Sequence, residues 1–226
     1  MRKYLLYAEQ NYAYAMLRPL QEAILNAGDE AAWFLAGNQI SASYLKSRET
    51  RIGSLHSARQ WHPDAVIAPG NFVPSFIPGL KVNIFHGFNV AKDTRPDEKG
   101  HFNIRGCYDL YCTQGPSTTR RFQQLAEKHR YFTVKETGWP TLDPLFSSRS
   151  VSRNDSRPTI LFCSTFTKNL SCAEPLYEEI KRLSNNTRWK WLVQFHPKMS
   201  PVTVSRYKSL ANENLEFIET DDIISI

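Results

Sequence analysis

Residues 3–28 read KYLLYAEQNYAYAMLRPLQEAILNAG, and they set the pattern for the rest of the chain. Lys3–Ala8 is a short apolar run of strand length. Met16, Leu17, Leu20, Ile24 and Leu25 then recur at helical spacing, and Gly28 stands where a C-cap glycine belongs. Pro19 fits the first turn of this helix or a kink in it. Ala31–Gly37 (AAWFLAG) reads as a second strand, residues 41–60 as polar and helical in part, and Asp64–Gly70 (DAVIAPG) as a third strand. Short buried strands alternating with amphipathic helices predict βαβ units, hence a parallel sheet buried on both faces.

The rhythm continues with strands at Lys81–Gly87 (KVNIFHG) and Asp109–Gly115 (DLYCTQG). Next come a helix over Ser117–His129, with Ser117 or Thr118 as N-cap, and a return to the sheet at Tyr131–Pro140. Residues 147–158, SSRSVSRNDSRP, carry three arginines and only Val151 as an apolar residue, which is linker composition. Beyond it the βα alternation restarts: strands at 159–165, 189–197 and 215–220, helices at 173–183 and 202–212. The expected organisation is an N-terminal Rossmann-like domain over 1–147, a linker over 148–157 and a partial C-terminal domain over 158–226. Three strands are few for a sheet, so the second domain reads as truncated and the chain as a fragment inactive by itself.

Composition bounds the function. The net charge of +6 favours anionic partners without choosing among them. No apolar run reaches the length of a membrane span, and Glu9, Gln10 and Asn11 interrupt the start too early for a leader. A cytoplasmic protein is expected, with a peripheral place on the inner face of the membrane as a further option. Cys107, Cys112, Cys163 and Cys172 form no metal-ligand or disulfide pattern, and Cys163 lies in an apolar run that reads as core. Neither a P-loop nor a G-x-G-x-x-G fingerprint is present, so no cofactor, metal or nucleic acid is expected.

In parallel α/β sheets ligands bind beyond the carboxyl ends of strands. His86 ends IFHG, with Gly87 beside it, and His196 ends VQFHP. One falls in each expected domain, a placement from which both would face one cleft. Lys92 and Arg95 follow His86 and would neutralise a phosphate or an anionic acceptor. Residues 138–146, GWPTLDPLF, make a tight turn with Asp143, readable as a hinge, a cleft wall or a plain ordered turn. Thr165 and Lys168 lie in a hydroxyl-rich loop, STFTKNLS, expected to enter a helix and to offer N–H groups to phosphate.

The series IFHGFNVAK, YDLYCTQGPSTTRRF, ETGWPTLDPLF, ILFCSTF and VQFHP resembles the CDP-glycerol glycerophosphotransferase family of wall and capsule polymer synthesis, teichoic acid included. The resemblance covers roughly residues 81–220. It implies the GT-B architecture, with an acceptor-side first domain and a nucleotide-donor second domain. Thr141 stands where the family often has arginine, and Ser164 where it has proline. The family's later Asp-x-Ser-Ser segment is absent. The implied reaction joins a CDP-linked polyol donor to a polyol-phosphate or glycan-lipid acceptor. An acceptor hydroxyl attacks the β-phosphorus, CMP leaves, His86 takes the proton and His196 assists at the pyrophosphate. Gly87, Lys92, Arg95, Asp143, Thr165 and Lys168 are the implied substrate-binding residues. Two rivals stand beside this reading: a GT-B nucleotide-sugar glycosyltransferase or epimerase, and a non-catalytic module for anionic polymer or membrane.

Overall fold

The computed structural model describes residues 1–87, 100–147 and 157–219. Two separate parallel sheets account for the described strands. One compact unit lies within residues 1–149 and the other within 150–220.

The first sheet holds β1 (Lys3–Ala8), β2 (Glu30–Leu35), β3 (Arg51–Ile52), β4 (Ala65–Ala68), β5 (Leu80–Asn83), β6 (Leu110–Thr113) and β7 (Thr133–Glu136). Their order is β3-β2-β1-β4-β5-β6-β7, all parallel. Side chains alternate across a strand, so consecutive residues of β1 enter opposite layers. Leu5 and Tyr7 join Val66, Phe85 and Phe122 on one face, while Leu6 and Ala8 join Leu17, Trp33 and Ile67 on the other. Two-sided burial is the reason the central strands β1, β2 and β4 read as apolar runs. The two-residue β3 has no such run, and for that reason its segment read only as polar and part-helical.

Helix α1 (Ala13–Asn26) covers one face and ends as expected at Gly28, whose φ is +80°. The Gly28 N–H donates to the Leu25 carbonyl and the Asp29 N–H to the Ile24 carbonyl, which satisfies two carbonyls of the last turn. Pro19 sits inside α1, past its first turn. Helix α2 (Leu55–Trp61) starts at Ser54, whose hydroxyl accepts from the Ser57 N–H. Helix α3 (Pro116–His129) is capped at Gly115, not at Ser117 or Thr118. Pro116 takes the first helical position, where a missing N–H costs nothing. The hydroxyls of Thr118 and Thr119 turn back to the Gly115 carbonyl.

The second sheet contains β8 (Thr159–Ser164), β9 (Lys190–Phe195) and β10 (Leu215–Phe217) in the order β10-β9-β8. Helices α5 (Tyr177–Leu183) and α6 (Pro201–Lys208) accompany it, and the short α4 (Asp143–Ser147) belongs to the first unit. Its core gathers around Tyr207, fully buried, whose hydroxyl donates to the Ala173 carbonyl at 2.6 Å. Cys163 is exposed, not core, and Leu161 on the same face of β8 is 45% exposed. Here β8 is an edge strand with apolar contacts on the Ile160–Phe162 side only, so an apolar run marked a strand without marking two covered faces.

Two glycines separate backbone conformation from packing. Both Gly28 and Gly79 have positive φ, but a Cβ at Gly28 would meet open space, whereas at Gly79 it would lie 2.3 Å from the Pro63 carbonyl oxygen. We expect Gly28→Ala to cost about 1 kcal/mol, the left-handed penalty alone. Gly79→Ala should cost clearly more, because backbone atoms cannot rotate away. Urea unfolding of the two variants measures the difference, and equal costs would contradict this packing.

Candidate functional site

Strand order in the first sheet reverses between β1 and β4. The chain leaves the carboxyl ends of these two strands in opposite directions, which opens a crevice there. Three connections converge on it: residues 9–12 after β1, Pro69 and Gly70 after β4, and residues 84–87 after β5.

Asn83, the last residue of β5, is buried and organises the crevice. Its side-chain amide donates to the Gly70 carbonyl at 2.8 Å, while its Oδ1 accepts from the Phe85 N–H at 3.0 Å. The Tyr108 hydroxyl supplies a second donor to the Gly70 carbonyl at 2.9 Å. Phe85, whose N–H makes the bond to Asn83, lies in the left-handed region, φ +57°. For a bulky residue that conformation costs about 1–3 kcal/mol, and the surrounding packing has to hold it. The packing consists of rings: His101 at 4.9 Å, Phe122 at 5.0 Å and Tyr111 at 6.0 Å from Phe85. Burial, and next the neighbouring His86, push the His101 imidazole below its ordinary value, so it stays neutral behind Phe85.

His86 therefore lies three residues beyond the end of β5 rather than on the strand, and is exposed. Its Nδ1 is 3.2 Å from the Pro69 carbonyl oxygen. A carbonyl can only accept, so Nδ1 carries the hydrogen, and neutral His86 presents a lone pair at Nε2. The ring stacks on Tyr12 at 5.6 Å. Beside it, no atom of the described residues would meet a Cβ at Gly87.

Glu9 completes the group, although in the sequence it stands out only as an interruption of an apolar run. Burial raises its carboxyl above the usual carboxylate range. The Tyr7 hydroxyl is pushed up to about 12 by burial and by the Glu9 charge. Tyr12 is raised by the same two causes. The signal that would have found Glu9 and Tyr12 is their position just past the carboxyl end of the central strand.

In the second unit His196 directly follows β9, and its N–H donates to the Ser164 carbonyl at 3.3 Å. Its tautomer is the opposite of that of His86. The Lys198 N–H donates to His196 Nδ1 at 3.0 Å, so the hydrogen of the neutral ring sits on Nε2. Phe166 packs on His196 at 4.5 Å and beneath the Lys198 ammonium at 6.0 Å. Thr165 is half-buried beside them, whereas Lys168 is exposed in a turn. Helix α5 begins only at Tyr177, so Thr165 and Lys168 do not enter a helix as expected. The intervening hydroxyls satisfy one another instead, Ser164 with Ser171 at 2.9 Å.

The turn at 138–146 is ordered by packing. Gly138 has φ +79°, Pro140 and Thr141 are buried, and Trp139 joins the core under α1. Asp143 is exposed at the start of α4. Lys92, Arg95 and most of the expected linker lie outside the described residues. Among the described residues no His/Cys/Asp/Glu cluster could hold a metal ion, and no helix is long and apolar enough to cross a membrane.

No family model matches the chain, and no curated protein does. Solved structures do. The S. aureus MnaA–UDP co-structure has a TM-score of 0.61 at 11% identity, covering 100% of this chain and 71% of that one. A UDP-N-acetylglucosamine 2-epimerase from Rickettsia bellii gives 0.56 at 15%, covering 97% and 69%. The UDP-GlcNAc 2-epimerase from Neisseria meningitidis bound to UDP-GlcNAc gives 0.55 at 13%, covering 96% and 72%. The chain has the GT-B fold. These neighbours carry the resemblance to that fold, not to CDP-glycerol glycerophosphotransferases.

Two outcomes are expected. Nitrogen-15 shifts of the neutral imidazoles should show the hydrogen on Nδ1 in His86 and on Nε2 in His196; matching tautomers would contradict both hydrogen bonds. The second outcome concerns Glu9. Its carboxyl is raised on folding, so the native state binds more protons than the unfolded one between the ordinary and the raised value, and stability falls as pH rises through that window. The facing Tyr7, Tyr12 and Tyr108 stay neutral there. His86 is common to both proteins, so the difference between wild type and Glu9→Gln isolates Glu9. The variant should be the more stable above the window, read by urea unfolding against pH.

Proposed function

We propose that this chain carries out GT-B chemistry on a nucleotide-linked donor, with a nucleotide sugar as the first candidate and glycosyl transfer or epimerisation as the reaction. The observation that carries this reading is the bond from His86 Nδ1 to the Pro69 carbonyl. It fixes a basic Nε2 at the crevice where an α/β sheet of this order takes its ligands. The fold neighbours that name UDP and UDP-GlcNAc support a nucleotide-sugar donor. His86 accepts the proton of the attacking or epimerising group. His196 donates its Nε2–H toward a donor phosphate oxygen, with the Lys198 ammonium and the Thr165 hydroxyl close by. Gly87 leaves room for the ligand. Lys92, Arg95, Asp143 and Lys168 remain proposed contacts to phosphate or acceptor.

A second reading, a CDP-linked polyol donor with a polyol-phosphate or glycan-lipid acceptor, rests on the order of His86-Gly87, the turn at 138–146 and His196-Pro197. Calorimetric titration with UDP-N-acetylglucosamine, other UDP-sugars and CDP-glycerol separates the two. The nucleotide sugars should bind more tightly, and preference for CDP-glycerol would reverse the order. On the preferred donor, His86→Ala should lower turnover by about 10²–10⁴-fold while changing donor affinity little. Near-normal turnover would remove His86 from the role of base.

A further inference from the structure

We propose that Glu9, Tyr12 and His86 form a polyol subsite, in which the Glu9 carboxyl and His86 Nε2 accept hydrogen bonds from hydroxyls of the substrate's sugar or polyol group, and which excludes phosphate.

Gly70 is a glycine that its own backbone does not require. Gly70 is outside the positive-φ region. A Cβ there would lie 2.5 Å from Glu9 Oε2, so the missing side chain is what lets the carboxyl rest over the β4 loop. The same loop holds His86 through the Pro69 carbonyl and takes two donors at the Gly70 carbonyl. The floor under Glu9 is therefore built from both sides.

Glu9 itself is left without a partner. It makes no hydrogen bond or ion pair among the described residues, although it is half-buried. A desolvated carboxyl that binds nothing in the protein costs stability, so the fold gains nothing from it. Among the described residues its electrostatic neighbours are Tyr7, Tyr12 and Tyr108, none of which brings a positive charge. A phosphate placed here would meet a carboxyl and a lone pair, acceptor against acceptor. Hydroxyls can donate to both, and the Tyr12 ring beside His86 offers the apolar surface that the C–H face of a sugar or polyol covers. Donor phosphates belong elsewhere, and a neutral hydroxylated group belongs here.

This inference rests on the proposed donor class only for the kind of hydroxylated group. Its test does not use the nucleotide. The full chain is titrated with N-acetylglucosamine, with glycerol and with inorganic phosphate while the Gly70 amide and the His86 imidazole are followed by NMR. The sugar or glycerol should shift both signals saturably, and phosphate should not. Glu9→Gln should keep the native spectrum and weaken that binding about tenfold or more, the loss expected for a hydrogen bond to a charged group. Gly70→Ala, which displaces the carboxyl from outside, should weaken it similarly. Saturable shifts from phosphate, no saturation by either hydroxylated probe, or unchanged affinity in Glu9→Gln would each overturn the subsite. Sugar binding through Glu9 in a chain that turns over no nucleotide donor would uphold it and sink the donor reading alone.

Discussion

Strand β1 is buried on both faces, and most of the first unit follows from that constraint. A strand with Leu5 and Tyr7 on one side and Leu6 and Ala8 on the other must have a layer above and a layer below. Parallel pairing with β2 and β4 provides it, since each crossover lays chain across a face. Because β1 is followed in opposite lateral directions by β2 and β4, the connections after β1 and β4 diverge at their carboxyl ends. The crevice is a consequence of sheet order before any side chain is considered.

What the crevice does depends on a few hydrogen bonds that fix which atoms face it. Asn83 spends its whole side chain on backbone, holding the Gly70 carbonyl and accepting from the Phe85 N–H. Phe85 tolerates a left-handed backbone because a cluster of aromatic rings holds its side chain. Strain and ring packing together deliver His86 to the Pro69 carbonyl, and that one contact selects the tautomer. His196 reaches the opposite tautomer by the opposite device, a backbone donor from Lys198. Two histidines that look alike in a sequence thus acquire complementary chemistry, one accepting and one donating at Nε2.

The two units differ in how their apolar residues are used. In the first, apolar runs coincide with burial on both faces. In the second, β8 leaves Leu161 and Cys163 exposed while Ile160 and Phe162 pack toward Tyr207. The same type of run therefore carries different structural content at the centre and at the edge of a sheet.

All the strands but β3, the main helices and the α/β class were legible in the sequence, because apolar runs and amphipathic spacing are local patterns that survive in one dimension. Lys3–Ala8 and the glycine stop at Gly28 are cases where local pattern and structure coincide. His86 and His196 were legible as candidates, since strand ends can be located from the same pattern. Glu9 was not: its place just past the end of β1 marks a position and not a role, and its significance comes from Gly70, sixty-one residues away, whose absent side chain makes room for it. The tautomers were equally out of reach, being set by the Pro69 carbonyl for one histidine and by the Lys198 N–H for the other. Local sequence determined which segments become strands and helices; tertiary structure decided which atoms of those segments meet, because hydrogen bonds and close approaches are made between residues that only the folded sheet brings together.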